Sequence, residues 1–323
     1  MPAPPNGPAE GSPGPCRVLV AGATGYIGRR LVTALVGEGH QVRCLARTPG
    51  KLDDEAWRDR VDVVRGDVLD RGSLGQAFAG MDVAYYLIHS MERASDASFE
   101  RRDRVAAQRF AQAAAEAGVR RIVYLGGLLP LEGRTSAHLE SRGEVERILL
   151  AAVPDSVAMR ASLVIGARSR SFRAIVSLIE RLPVLPLPPW RRNRTQPIDE
   201  RDAIAYLAAA ATAPGIGGRA FDIAGPEVLS YGEMIERLAG LLLLARPTLA
   251  LRRAPGPLAS ALAAAVSGQP NELLGPLMRS LEYDLLADDT AARAAFAVPL
   301  HGFDAAVEHA LRERDELEPR GAR

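Results

Sequence analysis

The sequence predicts a doubly wound α/β fold, a parallel sheet covered by helices on both faces, followed by a smaller, mainly helical C-terminal lobe. Three observations carry this expectation. Short apolar runs alternate with helical patterns from residue 17 to residue 160. These runs are nearly continuous rather than polar–apolar, as strands buried on both faces must be. Beyond residue 160 the rhythm breaks into a looser, proline-rich set of segments.

Arg17–Ala21 (RVLVA) is the first strand, and after a glycine turn Tyr26–Val36 takes up helical spacing. Strands follow at Gln41–Ala46 and Val61–Arg65, a helix at Arg71–Ala79 and a strand at Asp82–Leu87. Asp96–Ala117 is rich in alanine, the best helix former, and reads as one long helix. Strand Arg120–Leu125, helix Thr135–Ala152 and strand Ser156–Met159 complete the regular series, with crossovers expected to be right-handed. The second part holds proline-rich Leu182–Trp190, helix Glu200–Ala211, strand Ala220–Ile223 and helix Ser230–Leu241. Helices Leu258–Val266 and Phe303–Leu317 end it. This lobe is expected over the carboxyl ends of the strands, where open α/β sheets bind ligands.

Composition narrows the function classes. Of 323 residues 47% are hydrophobic, enough for a substantial core, and 40 basic against 39 acidic residues leave a net charge of +1. That balance argues against a nucleic-acid binder. Two cysteines, Cys16 and Cys44, are too few for a disulfide framework or a cysteine-rich zinc site. Residues 1–15 carry six prolines and three glycines without the basic start and apolar middle of a secretion signal, so a disordered lead-in and a cytoplasmic setting are expected. No run reaches the roughly 20 apolar residues of a membrane span. A single lysine, Lys51, stands among 39 arginines, so any mechanism that needs a lysine has one candidate.

The glycine turn between the first strand and helix reads Gly22-Ala-Thr-Gly25-Tyr-Ile-Gly28, a G-x-x-G-x-x-G spacing. The first glycine permits a tight turn, the second lets backbone approach a pyrophosphate, and the third lets the helix pack on the strand. The helix N-terminus then offers N–H groups and a positive dipole end to phosphates. Gly22, Thr24, Gly25, Tyr26, Ile27 and Gly28 are therefore expected cofactor contacts. Where the second strand ends, an acid would read a ribose 2′-hydroxyl and an arginine a 2′-phosphate. This chain has Arg43 and Arg47 there and no acid before Asp53, which predicts NADP(H) in preference to NAD(H), with Arg47 as the main contact. Asp67, after the third strand, can accept from the adenine amino group, and Val68 beside it counts as cofactor-binding. Residues 16–160 are accordingly the expected NAD(P)-binding domain, 161–318 the remaining sheet edge and substrate lobe, and 319–323 a polar tail.

These residues resemble the short-chain dehydrogenase/reductase (SDR) superfamily in its atypical or extended branch. The likeness lies in the glycine triplet and in Gly66-Asp-Val-Leu-Asp70. Tyr85–Met91, Tyr124–Gly127, Arg160–Gly166 and Phe221–Pro226 look like blocks of its NmrA-like and complex-I-accessory-subunit-like members, and the likeness spans residues 17–240. It implies a Rossmann fold and a nicotinamide cofactor. The superfamily's usual catalytic pair is Tyr-x-x-x-Lys on the helix after the fifth strand, with serine at that strand's end. Here Gly126 and Gly127 stand at the serine position, and the helix carries Ser136-Ala-His138-Leu-Glu-Ser-Arg142. Lys51 lies after the second strand, on the adenosine side.

His138 and Arg142 are four residues apart and share a helix face. A neutral imidazole suits acid–base work and arginine can hold ribose hydroxyls, so both are catalytic candidates. Catalysis, positioning and helix-face packing stay open for His138. His89 and Ser90 follow the fourth strand at the mouth near the nicotinamide ribose, and Arg160 ends the sixth strand facing the cleft. These three join the cofactor-binding candidates. Asp202 can cap the helix Glu200–Ala211, near Gln196. His301 and His309 have no ligand spacing with Cys or Asp, so no metal is expected. Leu238–Leu251 and Pro257–Val266 are apolar and flanked by Arg246, Arg252 and Arg253, which suits core packing, a lipophilic substrate pocket or peripheral membrane contact. The leading expectation is an NADP(H)-dependent oxidoreductase of a small or lipophilic carbonyl, enone or quinone-like substrate. A cofactor-sensing regulator or an accessory protein is the alternative, and epimerase or dehydratase chemistry a further one.

Overall fold

A computed structural model describes residues 14–88, 96–129, 137–252 and 281–317. The first part of the chain runs β1 (Arg17–Ala21), α1 (Tyr26–Gly37), β2 (Gln41–Ala46), β3 (Asp62–Arg65), α2 (Arg71–Phe78) and β4 (Val83–Tyr86). It continues through α3 (Asp96–Glu116), β5 (Arg121–Gly127), α4 (Ala137–Leu150) and β6 (Val157–Ala161). Next come β7 (Val164–Ile165), α5 (Arg170–Arg181), β8 (Leu185–Leu187), β9 (Arg194–Thr195), β10 (Ile198–Asp199) and α6 (Glu200–Ala209). β11 (Arg219–Ile223), β12 (Leu229–Ser230), α7 (Tyr231–Leu241), β13 (Thr248–Ala250), α8 (Thr290–Ala295) and α9 (Phe303–Leu317) complete it.

Seven strands form one sheet in the order β11-β6-β5-β4-β1-β2-β3, and every pair in it is parallel. The order reverses at β1, flanked by β2 and β4, and opens the crevice in which such sheets bind ligands. Both faces are covered. Val18, Val20, Val83, Tyr85 and Val123 pack under α1, α6 and α8; Leu19, Ala84, Tyr86, Ile122 and Tyr124 pack under α2, α3 and α4. Two buried faces explain the unbroken apolar runs of the sequence.

The expected elements that fall on the described residues are present, with their ends moved by one to a few residues. Helix α5 was not expected. Phe172, Val176 and Ile179 fall on its buried side, and the Ser169 hydroxyl accepts the Phe172 N–H to start it. It packs with α7 and α9 around Leu185, Leu229, Met234, Phe303 and Val307, the core of the lobe. The expected helix Leu258–Val266 lies outside the described residues. Leu238–Leu251 divides: Leu238 is buried in that core, whereas Leu243 (φ 58°) and Leu249 are exposed. Among the described residues no helix is long and apolar enough to cross a membrane.

Candidate functional site

The glycine turn joins β1 to α1 at the point where the sheet order reverses. Gly22 has φ +99°, and a Cβ there would lie 2.9 Å from the backbone of Leu87, which follows the neighbouring strand β4. A Cβ on Gly28 would lie 2.2 Å from the Gly22 carbonyl oxygen and 2.8 Å from Ala23 Cα. The first turn of α1 therefore rests directly on the loop. Gly25, the N-cap, donates its N–H to Gly22 O at 2.9 Å; no side chain caps the helix and no acid occupies its first turn. A helix N-terminus of this kind, free of any capping side chain and seated directly on its glycine turn, fits a dinucleotide diphosphate.

Thr24 and Ile27 are half-buried, and Ile27 packs on the core under α1. The Tyr26 side chain leaves the loop: a Cβ on Gly166 would lie 1.8 Å from its hydroxyl and 2.3 Å from Glu200 Oε2. Only the Tyr26 backbone remains in the turn. At the end of β2, Arg47 is exposed and makes no hydrogen bond or ion pair among the described residues. Arg43 is committed elsewhere, donating to Asp62 at 2.6 Å and to the carbonyls of Ala77 and Ala79 at 3.1 and 2.9 Å, where it closes the end of α2. Lys51 lies in the short turn Pro49–Leu52 after β2. After β3, Asp67 Oδ1 accepts the Leu69 N–H at 2.9 Å, Val68 is buried, and Asp70 caps α2 through the N–H groups of Gly72 and Ser73.

Across the crevice, His138 falls in the first turn of α4, and its side chain lies outside the described residues, as do His89 and Ser90. Arg142, one turn on, is 8% exposed. Arg160 is drawn into an ion triad rather than left facing the cleft. Its guanidinium meets both oxygens of Glu146 at 2.8 and 2.6 Å and stands 3.6 Å from Asp222. The described candidates thus lie at the carboxyl edge of the sheet, after β1, β2 and β3 on one side and on α4 and β6 on the other.

Asp199, not Asp202, caps α6: it accepts the Arg201 N–H at 2.7 Å. Asp202 instead accepts from the N–H of His301 at 2.8 Å and lies 2.5 Å from its Nδ1. Sequence spacing concealed a second cluster, in which Glu200, His309 and Glu313 come together. Both sets are neutralised by arginine: Arg201 forks Asp199, and Arg30 lies 3.4 Å from Glu200 and against Glu313. Burial raises the Glu200 carboxyl from 4.5 to about 7 against the pull of Arg201, and burial also keeps His309 neutral-leaning by lowering its pKa. The sign follows by linkage. A raised acid favours the folded state below pH 4.5, and that advantage is lost as pH climbs through 7. Glu200→Gln, which leaves Arg30, Arg201, His309 and Glu313 in place, should flatten that dependence and stabilise the protein above pH 7 by at most about 3 kcal/mol. Denaturant midpoints of both proteins at pH 5 and pH 8 check it.

Comparison with known proteins gives this geometry its relatives. Residues 22–151 match a family of NAD(P)H-binding domains. The chain is 26% identical to a mitochondrial NADH dehydrogenase [ubiquinone] 1 alpha subcomplex subunit 9 from Arabidopsis thaliana, over 85% of this chain and 71% of that one. It is 30% identical to a ceramide reductase of Caulobacter vibrioides over 62% of each. With a (4-alkanoyl-5-oxo-2,5-dihydrofuran-3-yl)methyl phosphate reductase of Streptomyces griseus it shares 29% identity over 70% of this chain and 73% of that one. A short-chain dehydrogenase/reductase superfamily protein from Agrobacterium tumefaciens, solved with bound NAD, superposes with a TM-score of 0.71 at 18% identity, covering 95% of this chain and 100% of that one. The uncapped glycine turn, the strand order and these relatives agree on an NAD(P)H-binding domain over residues 22–151, in a chain similar to reductases and to a complex I subunit and sharing the fold of a short-chain dehydrogenase/reductase protein.

Proposed function

We propose that the protein is an NADP(H)-dependent oxidoreductase acting on a lipophilic carbonyl, enone or quinone-like compound. The observation that carries the cofactor half is the uncapped N-terminus of α1, fused to its loop through Gly28, with an exposed and uncommitted Arg47 at the end of the next strand. In this reading the loop N–H groups hold the diphosphate, Arg47 forks the 2′-phosphate, and Asp67 takes the adenine amino group. His89, Ser90 and Arg142 hold the nicotinamide ribose. When bound, the cofactor supplies a hydride to the substrate carbon, and His138 moves the accompanying proton at the oxygen. Placement does most of the remaining work, so loss of the usual tyrosine lowers the rate without forbidding the reaction.

The lipophilic substrate rests on the relatives; the lobe itself carries an open cavity of about 620 Å³ in which Leu187, Val228 and Leu229 stand beside the charged Arg191, Arg192, Arg194, Glu233 and Glu236. The reductases of ceramide and of an alkanoyl furan phosphate carry long apolar chains in their named substrates. NADPH should bind more tightly than NADH by about tenfold, the worth of one bidentate arginine–phosphate pair. Arg47→Ala should erase the difference. Fluorescence titration measures both, and equal or tighter NADH binding by the unaltered protein refutes the preference. Oxidation of NADPH by members of a ceramide, enone and quinone panel then tests turnover.

A second reading has its own support in the positions where tyrosine and lysine are replaced by His138 and Arg142, and in the likeness to a complex I subunit. A sensor would exchange NADPH rapidly without oxidising it, while an accessory subunit would retain it stoichiometrically.

A further inference from the structure

Helix α9 carries His309 and Glu313 four residues apart, on one helix face. Folding brings Glu200, the first residue of α6, to that face. One ligand-type atom from each of the three residues lies within 4.8 Å of the others, and His309 Nε2 stands 3.7 Å from Glu200 Oε1. The first turn of α1 adds a fourth group, since the Tyr26 hydroxyl and Glu200 Oε2 share the space over Gly166 that a Cβ would fill. Three helices thus deliver two carboxylates, an imidazole and a phenol to one place.

Arg30 accounts for part of this arrangement. Its guanidinium engages Oε1 of both glutamates and leaves the other oxygen of each. Oε2 of Glu200, Oε2 of Glu313 and the Tyr26 hydroxyl are all buried with no hydrogen-bond partner among the described residues. The Glu200 side chain is only 3% exposed. An orphaned buried acceptor gives up its hydration and gains nothing in exchange, so three such oxygens around one imidazole point to a cation. The neighbouring set of Asp199, Asp202 and His301 differs in this respect. Arg201 forks Asp199, Asp202 takes the N–H and Nδ1 of His301, and neither aspartate keeps an orphaned buried oxygen. Two glutamates and a histidine form a nitrogen and oxygen donor set that suits zinc. Zinc holds such ligands at about 2.0–2.2 Å, which puts them about 3.4 Å from one another. Closing in from 4.8 Å is within the reach of the part-exposed His309 and Glu313 side chains.

We propose that Glu200, His309 and Glu313 bind a divalent transition-metal ion of the zinc type, which fastens α9 to the starts of α6 and α1. Arg30 is its competitor, a cation supplied by the chain itself, and its side chain, 39% exposed, can turn to solvent. Spacing along the sequence hides the site because one of the two carboxylates comes from another helix. The pH dependence given above for Glu200→Gln is that of the metal-free chain.

The test is a titration of the full chain, stripped with a chelator, with zinc chloride by calorimetry, with thermal midpoints recorded alongside. One ion per chain should bind, and saturation should raise the thermal midpoint, because the three ligands meet only in the folded state. His309→Ala and Glu313→Gln should each weaken zinc by at least about tenfold, the least that even an outer partner of a metal ligand is worth. Arg30→Ala should tighten it by removing the competing charge. Absence of saturable binding to the unaltered chain overturns the proposal. Binding that survives both ligand substitutions places the ion elsewhere and overturns it too, as does equal or weaker binding in Arg30→Ala. Should a ligand variant not fold, the visible spectrum of the unaltered chain loaded with cobalt decides. Imidazole and carboxylate ligands give weak ligand-field bands alone, whereas an intense thiolate charge-transfer band would put the metal on a cysteine and refute the site. NADPH plays no part in these readouts, so their failure leaves the cofactor reading standing.

Discussion

Gly28→Ala is expected to abolish useful NADPH binding and to destabilise the fold. The added carbon would sit 2.2 Å from the Gly22 carbonyl oxygen and 2.8 Å from Ala23 Cα, both backbone atoms. Neither can rotate away as a flexible side chain would, so α1 must lift off its loop. Overpacking of this kind costs about 1–3 kcal/mol. The lifted helix also carries its N–H groups away from the diphosphate, and each lost contact to a charged phosphate is worth about 1.5–3 kcal/mol. A weakening of roughly 100-fold follows from two such contacts. Gly75→Ala, on α2, is the control. A Cβ there meets nothing within 4 Å, so helix propensity alone applies and stability should rise by about 0.5–1 kcal/mol. Titration of NADPH fluorescence and chemical denaturation of the two variants, side by side, give the comparison. Equal behaviour would show that the close approach at Gly28 relaxes at no cost.

Arg160→Ala should unfold the protein more readily by about 3 kcal/mol, the lower end of the cost of stranding a buried charge, since Arg160 keeps partial access to solvent. Its loss leaves Glu146, with a side chain 6% exposed, and Asp222, 15% exposed, without their shared cation. Asp222 retains only the Asp288 N–H at 3.2 Å. If Arg160 instead contacted the cofactor directly, the apoprotein would keep its stability and NADPH affinity would fall. Denaturation of the apoprotein, measured beside NADPH titration, separates the two outcomes.

These two positions mark the limits of what can be read along the chain. Gly28 is legible because its constraint is local: strand, turn and helix lie within a dozen consecutive residues, and the spacing of three glycines states the geometry. Arg160 is not. As a residue ending a strand it was expected to face the cleft, and its partners lie 14 and 62 positions away on α4 and β11. The same holds at the start of α6, where Asp199 and Asp202 are equally plausible caps by sequence. Only the arrival of His301 from 99 residues further on assigns Asp202 to another task. Helix α5 does carry a local signal, a start at Ser169 and an apolar stripe at Phe172, Val176 and Ile179, but Arg170, Arg173 and Arg181 interrupt it.

The sequence by itself determined the fold class, the glycine turn and the absence of a Tyr-x-x-x-Lys pair, including the placement of Lys51 after the second strand. All of these depend on neighbours along the chain or on the presence of a residue type. Tertiary structure decided what the polar side chains do. It released Arg47 while committing Arg43, tied Arg160 to two acids, gathered Glu200, His309 and Glu313 near Arg30, and laid the Tyr124 ring across Gly126. The physical reason is range. Backbone conformation answers to spacing over a few residues, whereas a charge or hydroxyl answers to whatever the packed sheet and helices bring within about 4 Å of it.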